Sequence, residues 1–445
     1  MQNSPATIVE RNKQFTLTSW TAQDAWNPIS MVRAEGVYFW DEQNKRYLDW
    51  SSQLVNVNIG HGHSHVNKAI QDQIERISFA FPGIATEPRA KLAEMLSDIA
   101  PGNLNKTFFT LAGTDSIEHA MKIARLASGR QKIFSRYRSY HGATFGSLTA
   151  GGDPRGLANE PGVPWIVHIH DPYSYRSPLY RGRTVQEGDE LLADLIEDTV
   201  LFEGPENIAA FLLEGYSGSS GILQGGEVYW NRIQQICDKY GILLIIDEVM
   251  SGFGRTGEWF GIDHYPNVKP DIVAMAKGLT SGYVPLGAVM VSDAIAEYFD
   301  EHTLWTGLTY GAHPLGCAAG IANLEVYQDE NLIDNSRKMG KLLRHGLNDL
   351  VEKHPSAGDV RGVGLHHVIE LVKNKETREP MSGFNQPLSE GMQKVGASLR
   401  EQGLSTFLKW DWIFCTPPLV INEGQIAEGL SILDKALGIA DDYCS

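Results

Sequence analysis

Two short apolar runs, each closed by a charged residue, constrain the fold of this chain more than any other feature. The first run, Ile242–Ile246, is rich in β-branched residues, as buried parallel strands are, and it ends at Asp247. The second run, Asp271–Ala276, ends at Lys277. Because ligands of open α/β sheets bind at the carboxyl ends of the strands, the sequence places an acid and a lysine at a binding edge.

An acid and a lysine at one edge of a sheet are the groups needed to hold pyridoxal phosphate (PLP). Lys277 would form the Schiff base with the cofactor, and Asp247 would keep the pyridine nitrogen protonated so that the ring draws electrons from a carbanion. A salt bridge, or two solvated strand ends, is the alternative, since most acids and lysines do no chemistry.

The same stretch contains a second pattern, in which Gly252–Gly257 matches G-x-G-x-x-G and Asp271 follows at a distance suited to a dinucleotide fingerprint. That fingerprint requires an amphipathic helix to open at the third glycine. Glu258–Gly261 and the nearby Pro266 are typical of a loop instead. We therefore expect no nicotinamide site here.

Other apolar runs predict further strands, one of which ends at a third charged residue, Glu214. These strands are Lys106–Leu111, Gln131–Arg136 and Ile208–Leu213. Helix-length segments separate the runs, which predicts an α/β fold with a large, mostly parallel, doubly wound sheet.

A smaller α+β domain is expected after the large sheet, because the pattern changes at Ile333. We expect residues 61–315 to form the large cofactor-binding domain and residues 316–445 the small C-terminal domain. Residues 1–60 carry a predicted hairpin and are expected to join the small domain.

The predicted boundary between strand and helix at Gly113-Thr114 has two compatible interpretations. Asp115 and Glu118 have the spacing of a capping box, which would only begin the helix. A Gly-Thr turn at a helix start also presents backbone N–H groups and the positive helix end to a phosphate.

Composition excludes several kinds of partner. The 445 residues carry a formal net charge of −16, which argues against nucleic acid or an anionic membrane. No apolar run is long enough to span a bilayer. The cysteines are far apart and indicate free thiols in a reducing compartment, so we expect a cytoplasmic protein: Cys237, Cys317, Cys415 and Cys444.

Alternating histidines, His61, His63 and His65, raise the possibility of a metal site. They lie beside glycines and have no neighbouring cysteine or acidic ligand in the sequence. We therefore expect no metal.

Taken together and in order, these motifs resemble the class III aminotransferases, which are fold type I PLP enzymes. The resemblance covers nearly the whole chain, and its most specific parts are IIDEVMSGFGRTGEWF and DIVAMAKGLTSGYVPLGAV. It is strongest to the ω-amino acid and amine:pyruvate transaminases. The resemblance implies that Lys277 bonds the cofactor covalently and that Asp247 pairs with its pyridine nitrogen.

The resemblance also implies roles for residues that the patterns alone leave open. Val249 and Tyr140 would pack on opposite faces of the ring, although Tyr140 alone is equally well a core aromatic. Gly113 and Thr114 would bind the phosphate, and Glu214 would lie near the cofactor.

A partner subunit is implied as well. Thr309 would reach the phosphate bound in the other subunit, so the resemblance predicts a homodimer with shared active sites or a dimer of dimers.

The substrate pocket departs from the family pattern. Many amine:pyruvate members have an arginine where this sequence has Phe407, and the Val55 region lacks a tryptophan that is common there. Lys409 lies nearby; we expect it to be a solvated loop residue, with an inward-facing lysine as the alternative.

These features predict a transaminase that moves an amino group from a primary amine or ω-amino acid to a keto acid, with pyruvate expected, by ping-pong chemistry. An aminomutase, racemase or decarboxylase would share every cofactor residue named above. A binding protein of this fold that has lost the cofactor is the non-enzyme alternative, and the intact Lys277 and Asp247 argue against it.

Overall fold

The computed structural model describes residues 7–445. That part of the chain contains both helices and strands. The α-helices are α1 Ile8–Phe15, α2 Ser52–Val55, α3 Ser64–Arg76, α4 Glu87–Ile99, α5 Gly113–Ser128, α6 Phe145–Ala150, α7 Pro154–Leu157, α8 Val185–Glu203, α9 Glu227–Tyr240, α10 Asp293–Glu301, α11 Pro314–Asp329, α12 Leu332–Lys353, α13 Glu390–Glu401 and α14 Glu423–Asp441. The strands are β1 Arg33–Glu35, β2 Tyr38–Trp40, β3 Arg46–Asp49, β4 Leu104–Thr110, β5 Lys132–Arg136, β6 Ile166–Ile169, β7 Ile208–Glu214, β8 Leu243–Asp247, β9 Ile272–Met275, β10 Gly287–Ser292, β11 Ala357–Val363, β12 His366–Asn374, β13 Glu379–Pro380, β14 Leu404–Ser405, β15 Leu408–Lys409 and β16 Trp412–Cys415.

The largest sheet has seven strands in the order β4-β10-β9-β8-β7-β5-β6. All neighbouring pairs from β9 to β6 are parallel, whereas β10 runs antiparallel to both of its neighbours. Every residue of β7 is buried, as expected for a strand covered by helices on both faces. The predicted α/β fold with a large, mostly parallel sheet is confirmed.

The parallel register brings the charged strand ends together. Glu214 lies beside Asp247 in the β7–β8 ladder, and Asp247 lies beside Ala274 in the β8–β9 ladder. Lys277 follows Ala274 by three residues along the chain. The three predicted strand-end groups therefore converge on one edge of the sheet.

Two smaller sheets contain the remaining strands. The strands β11, β12, β16 and β15 form one sheet, with β13 added to β12. The other joins the N-terminal strands β1, β2 and β3 to β14, through a parallel pairing of Leu48 with Leu404. This pairing joins the N-terminal hairpin to the C-terminal part of the chain; the division into domains at residues 60 and 315 stays a prediction.

The N-terminal segment also packs directly on α14. Trp50 is completely buried, and a Cβ added to Gly429 would lie 2.2 Å from the Trp50 ring. Only glycine leaves room for the indole at this position, so the contact depends on both residues.

The three alternating histidines each lie against a different carboxylate. The pairs are His61 with Asp49 at 2.9 Å, His63 with Glu330 at 2.8 Å and His65 with Glu325 at 2.7 Å. Within residues 7–445 no cluster of three or more histidine, cysteine or acidic side chains has the arrangement of a metal site. None of the helices there combines the length and apolar character needed to cross a bilayer.

Candidate active site

A cavity of about 400 Å³ lies at the edge where β7, β8 and β9 end. It is lined by groups from all three strand ends, from the start of α5, and from loops at residues 54–56 and 280–286. Of the eight site residues predicted from the sequence, seven line it: Gly113, Thr114, Tyr140, Glu214, Asp247, Val249 and Lys277. The eighth, Thr309, is exposed and lies outside this cavity.

Lys277 stands at the turn that follows β9, in a backbone conformation that side-chain-bearing residues rarely adopt. Its φ is +40°, in the left-handed region. Burial lowers the pKa of Lys277, and the negative charges of Asp247 and Glu214 oppose that effect. The shift favours the neutral amine, which is the form that attacks a carbonyl or accepts a proton.

Asp247 is held by two hydrogen bonds at the end of β8. Its Oδ1 accepts a bond from the backbone N–H of Val249 at 2.9 Å, and its Oδ2 lies 2.7 Å from His141 Nδ1. His141 is itself buried, and its other ring nitrogen lies 3.1 Å from the Ser135 hydroxyl. The carboxylate, only 5% exposed, is therefore fixed in orientation on the cavity wall.

Glu214 is the second buried acid of the site. Its Oε2 accepts a hydrogen bond from the Gly218 backbone N–H, whereas Oε1 has no partner among the described residues. Burial raises the pKa of Glu214, and the neighbouring charge of Asp247 raises it further. A carboxyl group poised in this way can stay protonated and donate a hydrogen bond into the cavity.

The cavity is closed on one side by the first turn of α5. No side chain caps this helix, because Ala112 occupies the N-cap position. Glu118 instead accepts a bond from the Ser147 backbone N–H at 2.8 Å, so the capping-box interpretation of Asp115 and Glu118 is wrong. Uncapped N–H groups at a helix start are suited to bind an anion.

Gly113 is needed at this turn because Val249 packs against it. A Cβ on Gly113 would lie 2.7 Å from Val249 Cγ1. Thr114 accepts a hydrogen bond on its Oγ1 from the Ala143 backbone N–H at 3.2 Å. The helix start and the loop after β5 are therefore held in one arrangement beside the cavity.

Tyr140 forms another wall of the cavity, and the positively charged side chain of Arg155 stacks on its ring. The Arg155 guanidinium lies 3.7 Å from the centre of the Tyr140 ring and 5.4 Å from that of Trp20. Both Arg155 and Trp20 line the cavity. Neither residue was assigned to the site from the sequence.

Arg155 shares its counter-ion with Lys409. Asp153 accepts bonds from Arg155 Nε at 2.7 Å and Nη2 at 2.8 Å, and it also pairs with the Lys409 ammonium. Lys409 further donates to the Ser219 carbonyl at 3.0 Å, and its side chain is only 13% exposed. The expectation of a solvated Lys409 is wrong, because Asp153 supplies the partner that makes a buried lysine tolerable.

These contacts determine the charge of the three groups. Burial raises the pKa of Asp153, but bonds and charges from Arg155 and Lys409 outweigh it and leave the pKa below its ordinary value. Burial lowers the pKa of Lys409 to about 8, against the attraction of Asp153. At pH 7 two cations therefore share one carboxylate, and the wall around Arg155 has a net positive charge.

The G-x-G-x-x-G segment has a structural role. A bend and the short 3-10 helix Gly261–His264 follow it, not the amphipathic α-helix that a dinucleotide site requires. Arg255 within it is fully buried and donates to the Leu365 carbonyl at 3.1 Å and to Asn58 Oδ1 at 2.6 Å. Glu248 accepts bonds from the backbone N–H groups of Gly261 and Ile262, which fixes the end of the loop.

Comparisons with known proteins agree with this geometry. The profile of the family described as Aminotransferase class-III matches residues 21–437. The putrescine–pyruvate aminotransferase of Pseudomonas aeruginosa is 35% identical over 422 residues, covering 92% of this chain and 90% of its own. The taurine–pyruvate aminotransferase of Bilophila wadsworthia is 35% identical over 451 residues, covering 98% of each.

Solved structures of similar proteins extend the likeness to three dimensions. The taurine:2-oxoglutarate aminotransferase of Bifidobacterium kashiwanohense, in complex with PLP and glutamate, has a TM-score of 0.93 and 41% identity, covering 97% of each chain. An (S)-enantioselective ω-transaminase of Thermomicrobium roseum has a TM-score of 0.91 and 37% identity, again covering 97% of each chain.

The chain belongs to the class III aminotransferases. It is a PLP-dependent enzyme that transfers an amino group from an amine to a keto acid, with the fold type I arrangement of a large and a smaller domain. The residues present fit the cofactor. The uncapped helix start offers N–H groups to a phosphate, and the buried carboxylate of Asp247 and the amine of Lys277 lie in the same cavity.

Proposed function

We propose that this enzyme transfers the amino group of a short ω-amino acid to pyruvate, and that Arg155 binds the anionic end of the donor. The observation that carries the proposal is the sharing of Asp153 between Arg155 and Lys409 at the cavity wall. Phe407, at the position where related enzymes were expected to have an arginine, also lines the cavity but can bind no anion. Donors such as taurine or β-alanine have the length and charge that this wall suits.

Arg155 has bonding capacity left for a ligand. Its contacts with Asp153 and with the Ser219 hydroxyl use Nε and Nη2. Within residues 7–445, Nη1 has no hydrogen-bond partner, and this arginine borders the cavity. A guanidinium fixed by one carboxylate and by stacking on Tyr140 loses little conformational freedom when it binds a second anion.

The cofactor would be held by the predicted residues. We assign the phosphate to Gly113 and Thr114, the ring faces to Val249 and Tyr140, and the pyridine nitrogen to Asp247. Lys277 would bond the cofactor covalently. Glu214, whose pKa burial raises to about 7, would lie near the cofactor on the same side of the cavity.

When bound, PLP supplies an electron-withdrawing ring that takes up charge from the reacting carbon of the substrate. The residues of this chain then act around it. Asp247, oriented by His141, would hold a proton on the pyridine nitrogen. Lys277 would accept the proton of the substrate carbon at Nζ and hold it for return. Its lowered pKa suits this exchange near neutral pH.

Arg155→Gln tests the donor assignment. The KM for taurine and β-alanine should rise about 10- to 150-fold, because a hydrogen bond to a charged group contributes about 1.5–3 kcal/mol. The KM for putrescine, which has no anion, should change less than threefold. Arg183→Gln, which removes an exposed arginine outside the cavity, is the matched control. An equal rise for all three donors would contradict the assignment.

The reaction type has its own test. An aminotransferase requires both a donor and a keto acid and shows ping-pong kinetics, whereas a mutase, racemase or decarboxylase turns over without an acceptor. Initial rates with the donor and pyruvate varied together should give parallel double-reciprocal lines. Turnover without pyruvate would favour the alternative enzymes.

We also propose that two copies form a homodimer in which Thr309 reaches the partner's phosphate site. Exposed apolar side chains near Thr309 support this assembly: Trp305 is 81% exposed and Tyr310 56%. Tyr310 contacts Phe79, itself 43% exposed, with ring centres 5.8 Å apart. Apolar surface of this kind is typical of subunit contacts.

Sedimentation and cofactor titration test the shared site together. Thr309→Val should weaken PLP binding while the protein remains a dimer, whereas a fully active monomer at high dilution would refute the sharing.

We further infer a cytoplasmic location, because all four cysteines are free thiols, three of them buried.

A further inference from the structure

A second cavity, of about 350 Å³, lies behind the segment that carries Lys409. We call it the Arg138 cleft. Its walls come from the loops after β5 and β6 and from segments near residues 380–384 and 410–412. The side chains that define it are Arg138, Asp171, Tyr173, Arg176, Phe384 and Trp410. It has no lining residue in common with the active-site cavity.

Arg138 is held between two rings with its terminal nitrogens unused. The guanidinium carbon lies 4.1 Å from the centre of the Phe384 ring and 5.1 Å from that of Tyr173. Its Nε is 3.9 Å from Asp171 Oδ2, and neither Nη1 nor Nη2 has a hydrogen-bond partner in the described part of the chain. A planar guanidinium fixed by stacking, with both terminal nitrogens available, is suited to bidentate binding of a carboxylate.

The other cation of the cleft is already neutralised. Arg176 lies 2.5 Å from Glu370 Oε1 and also pairs with Asp411. Glu370 is further paired with Arg361 at 2.6 Å. Of the two arginines that line the cleft, Arg138 is therefore the one left to bind a ligand.

Asp171 offers the complementary charge beside Arg138. Its Oδ1 accepts a bond from the Arg138 backbone N–H at 2.9 Å, which leaves Oδ2 with only the distant Nε contact. The residue is 8% exposed, and burial raises its pKa to about 6 against the pull of Arg138. An ammonium group at Oδ2 would stabilise the ionised carboxylate and so offset the free-energy cost of burying its charge.

The space between these charges is aromatic. The Trp410 ring centre lies 4.4 Å from that of Phe384 and 4.9 Å from that of Trp412. An apolar side chain or small ring carried between the two charged groups of a ligand would bury its surface against these rings.

We propose that the Arg138 cleft binds an amino acid in its zwitterionic form, with the carboxylate on Arg138 and the ammonium on Asp171, and that this ligand modulates the active site. A simple anion would use Arg138 alone, and a simple amine would use Asp171 alone. The adjacent opposite charges and the aromatic wall favour a molecule that carries both groups close together.

The cleft is connected to the active site by two short routes. Trp410 contacts the ammonium of Lys409, which lies 4.3 Å from the ring centre, and Lys409 pairs with Asp153 beside Arg155. Arg138 also precedes Tyr140 by two residues on the loop after β5. A ligand that shifts Trp410 or Arg138 would therefore alter the wall that binds the donor's anion.

Three probes that share one five-membered ring test the ligand class by calorimetric titration of the PLP-loaded enzyme. L-Proline carries a carboxylate and an ammonium, cyclopentanecarboxylate only the anion, and pyrrolidine only the cation. Proline has a secondary amine, so it cannot donate its amino group at the active site. We expect proline to bind at least tenfold more tightly than either of the other two.

Substitutions then place the binding site. Arg138→Gln and Asp171→Asn should each weaken proline binding at least tenfold, and Arg138→Lys should weaken it too, because lysine lacks the planar fork. Arg183→Gln should leave it unchanged. Arg155→Gln should also retain proline binding, which separates this cleft from the donor site proposed above. The denaturant midpoint of each variant shows that it is folded.

The outcomes that overturn the proposal are specific. Absence of proline binding, or binding that Arg138→Gln and Arg138→Lys leave intact, would refute the site. If cyclopentanecarboxylate bound as tightly as proline, the proposed binding of the ammonium group by Asp171 would be refuted. Saturating proline should change the KM of the acidic donor at least threefold in the parent enzyme and not in Arg138→Gln; an unchanged KM in the parent would refute the modulation.

Discussion

Replacement of His141 tests whether the orientation of Asp247 limits the reaction. In His141→Leu, Asp247 Oδ2 would lose a 2.7 Å hydrogen bond in a site where the carboxylate is 5% exposed. A hydrogen bond to a charged group contributes about 1.5–3 kcal/mol, and each 1.36 kcal/mol corresponds to a tenfold change in rate. We therefore expect kcat/KM to fall about 10- to 150-fold.

His141→Asn is the matched control, because its side-chain amide can place an N–H donor near the position of Nδ1. The asparagine variant should recover most of the lost activity, whereas a role confined to core packing would leave both variants similarly impaired. The assay is kcat/KM with one donor and pyruvate, together with the Kd for PLP and the denaturant midpoint of each variant. A leucine variant within threefold of the parent would refute the reasoning.

Three further predictions follow from the same cavity. Lys277→Ala should abolish turnover and the borohydride-reducible bond to the cofactor; a cofactor that borohydride still fixes to the variant protein would contradict the role of Lys277. Asp247→Asn should lower kcat by 100-fold or more, equivalent to about 3 kcal/mol, while shifting the unfolding midpoint little, and a rate within tenfold of the parent would contradict it. Because burial lowers the pKa of Lys409 to about 8, the lysine loses its charge as the pH rises through that value, and Asp153 then faces Arg155 alone. The KM for taurine should therefore rise above pH 8 relative to that for putrescine. In Lys409→Met the ratio of the two KM values should no longer change with pH.

The strand ends were predictable because they depend on local composition. Buried parallel strands show as short apolar runs, so Leu243–Asp247 and Ile272–Met275 agree with the predicted runs to within one residue at each end. Connections of helix length then imply a parallel sheet with one binding edge, which brings Glu214, Asp247 and Lys277 together. Each of these steps uses only neighbours in the sequence.

Arg155 and Lys409 could not be found in that way. Arg155 follows a Gly-Gly-Asp-Pro segment, whose composition indicates only a turn. Lys409 looks like a surface lysine until Asp153, 256 residues away in the sequence, is known to lie beside it. The charge of the substrate wall therefore arises from tertiary contacts, and the sequence pattern carries no sign of it.

His141 was predictable only in part from the sequence. The family resemblance assigned the neighbouring Tyr140 to the site, yet nothing local shows that the His141 imidazole reaches Asp247 across 106 residues of sequence. The start of α5 was misread for a related reason. Asp115 and Glu118 have the correct spacing for a cap, but Glu118 instead accepts a hydrogen bond from the backbone N–H of Ser147 in the first turn of α6.

The parallel pairing of β3 with β14 has a consequence for how the chain is made. Leu48 and Asp49 pair with Leu404 and Ser405, which are synthesised 356 residues later, so that edge of the sheet stays incomplete until then. At a synthesis rate of roughly 5–20 residues per second, the delay on the ribosome is about 20–70 s. An unpaired strand edge is a template for association with other chains, so the nascent protein carries this exposed edge through nearly all of its translation. Chaperone demand in cells should therefore depend on residues 33–49, even though they lie far from Lys277 in the sequence.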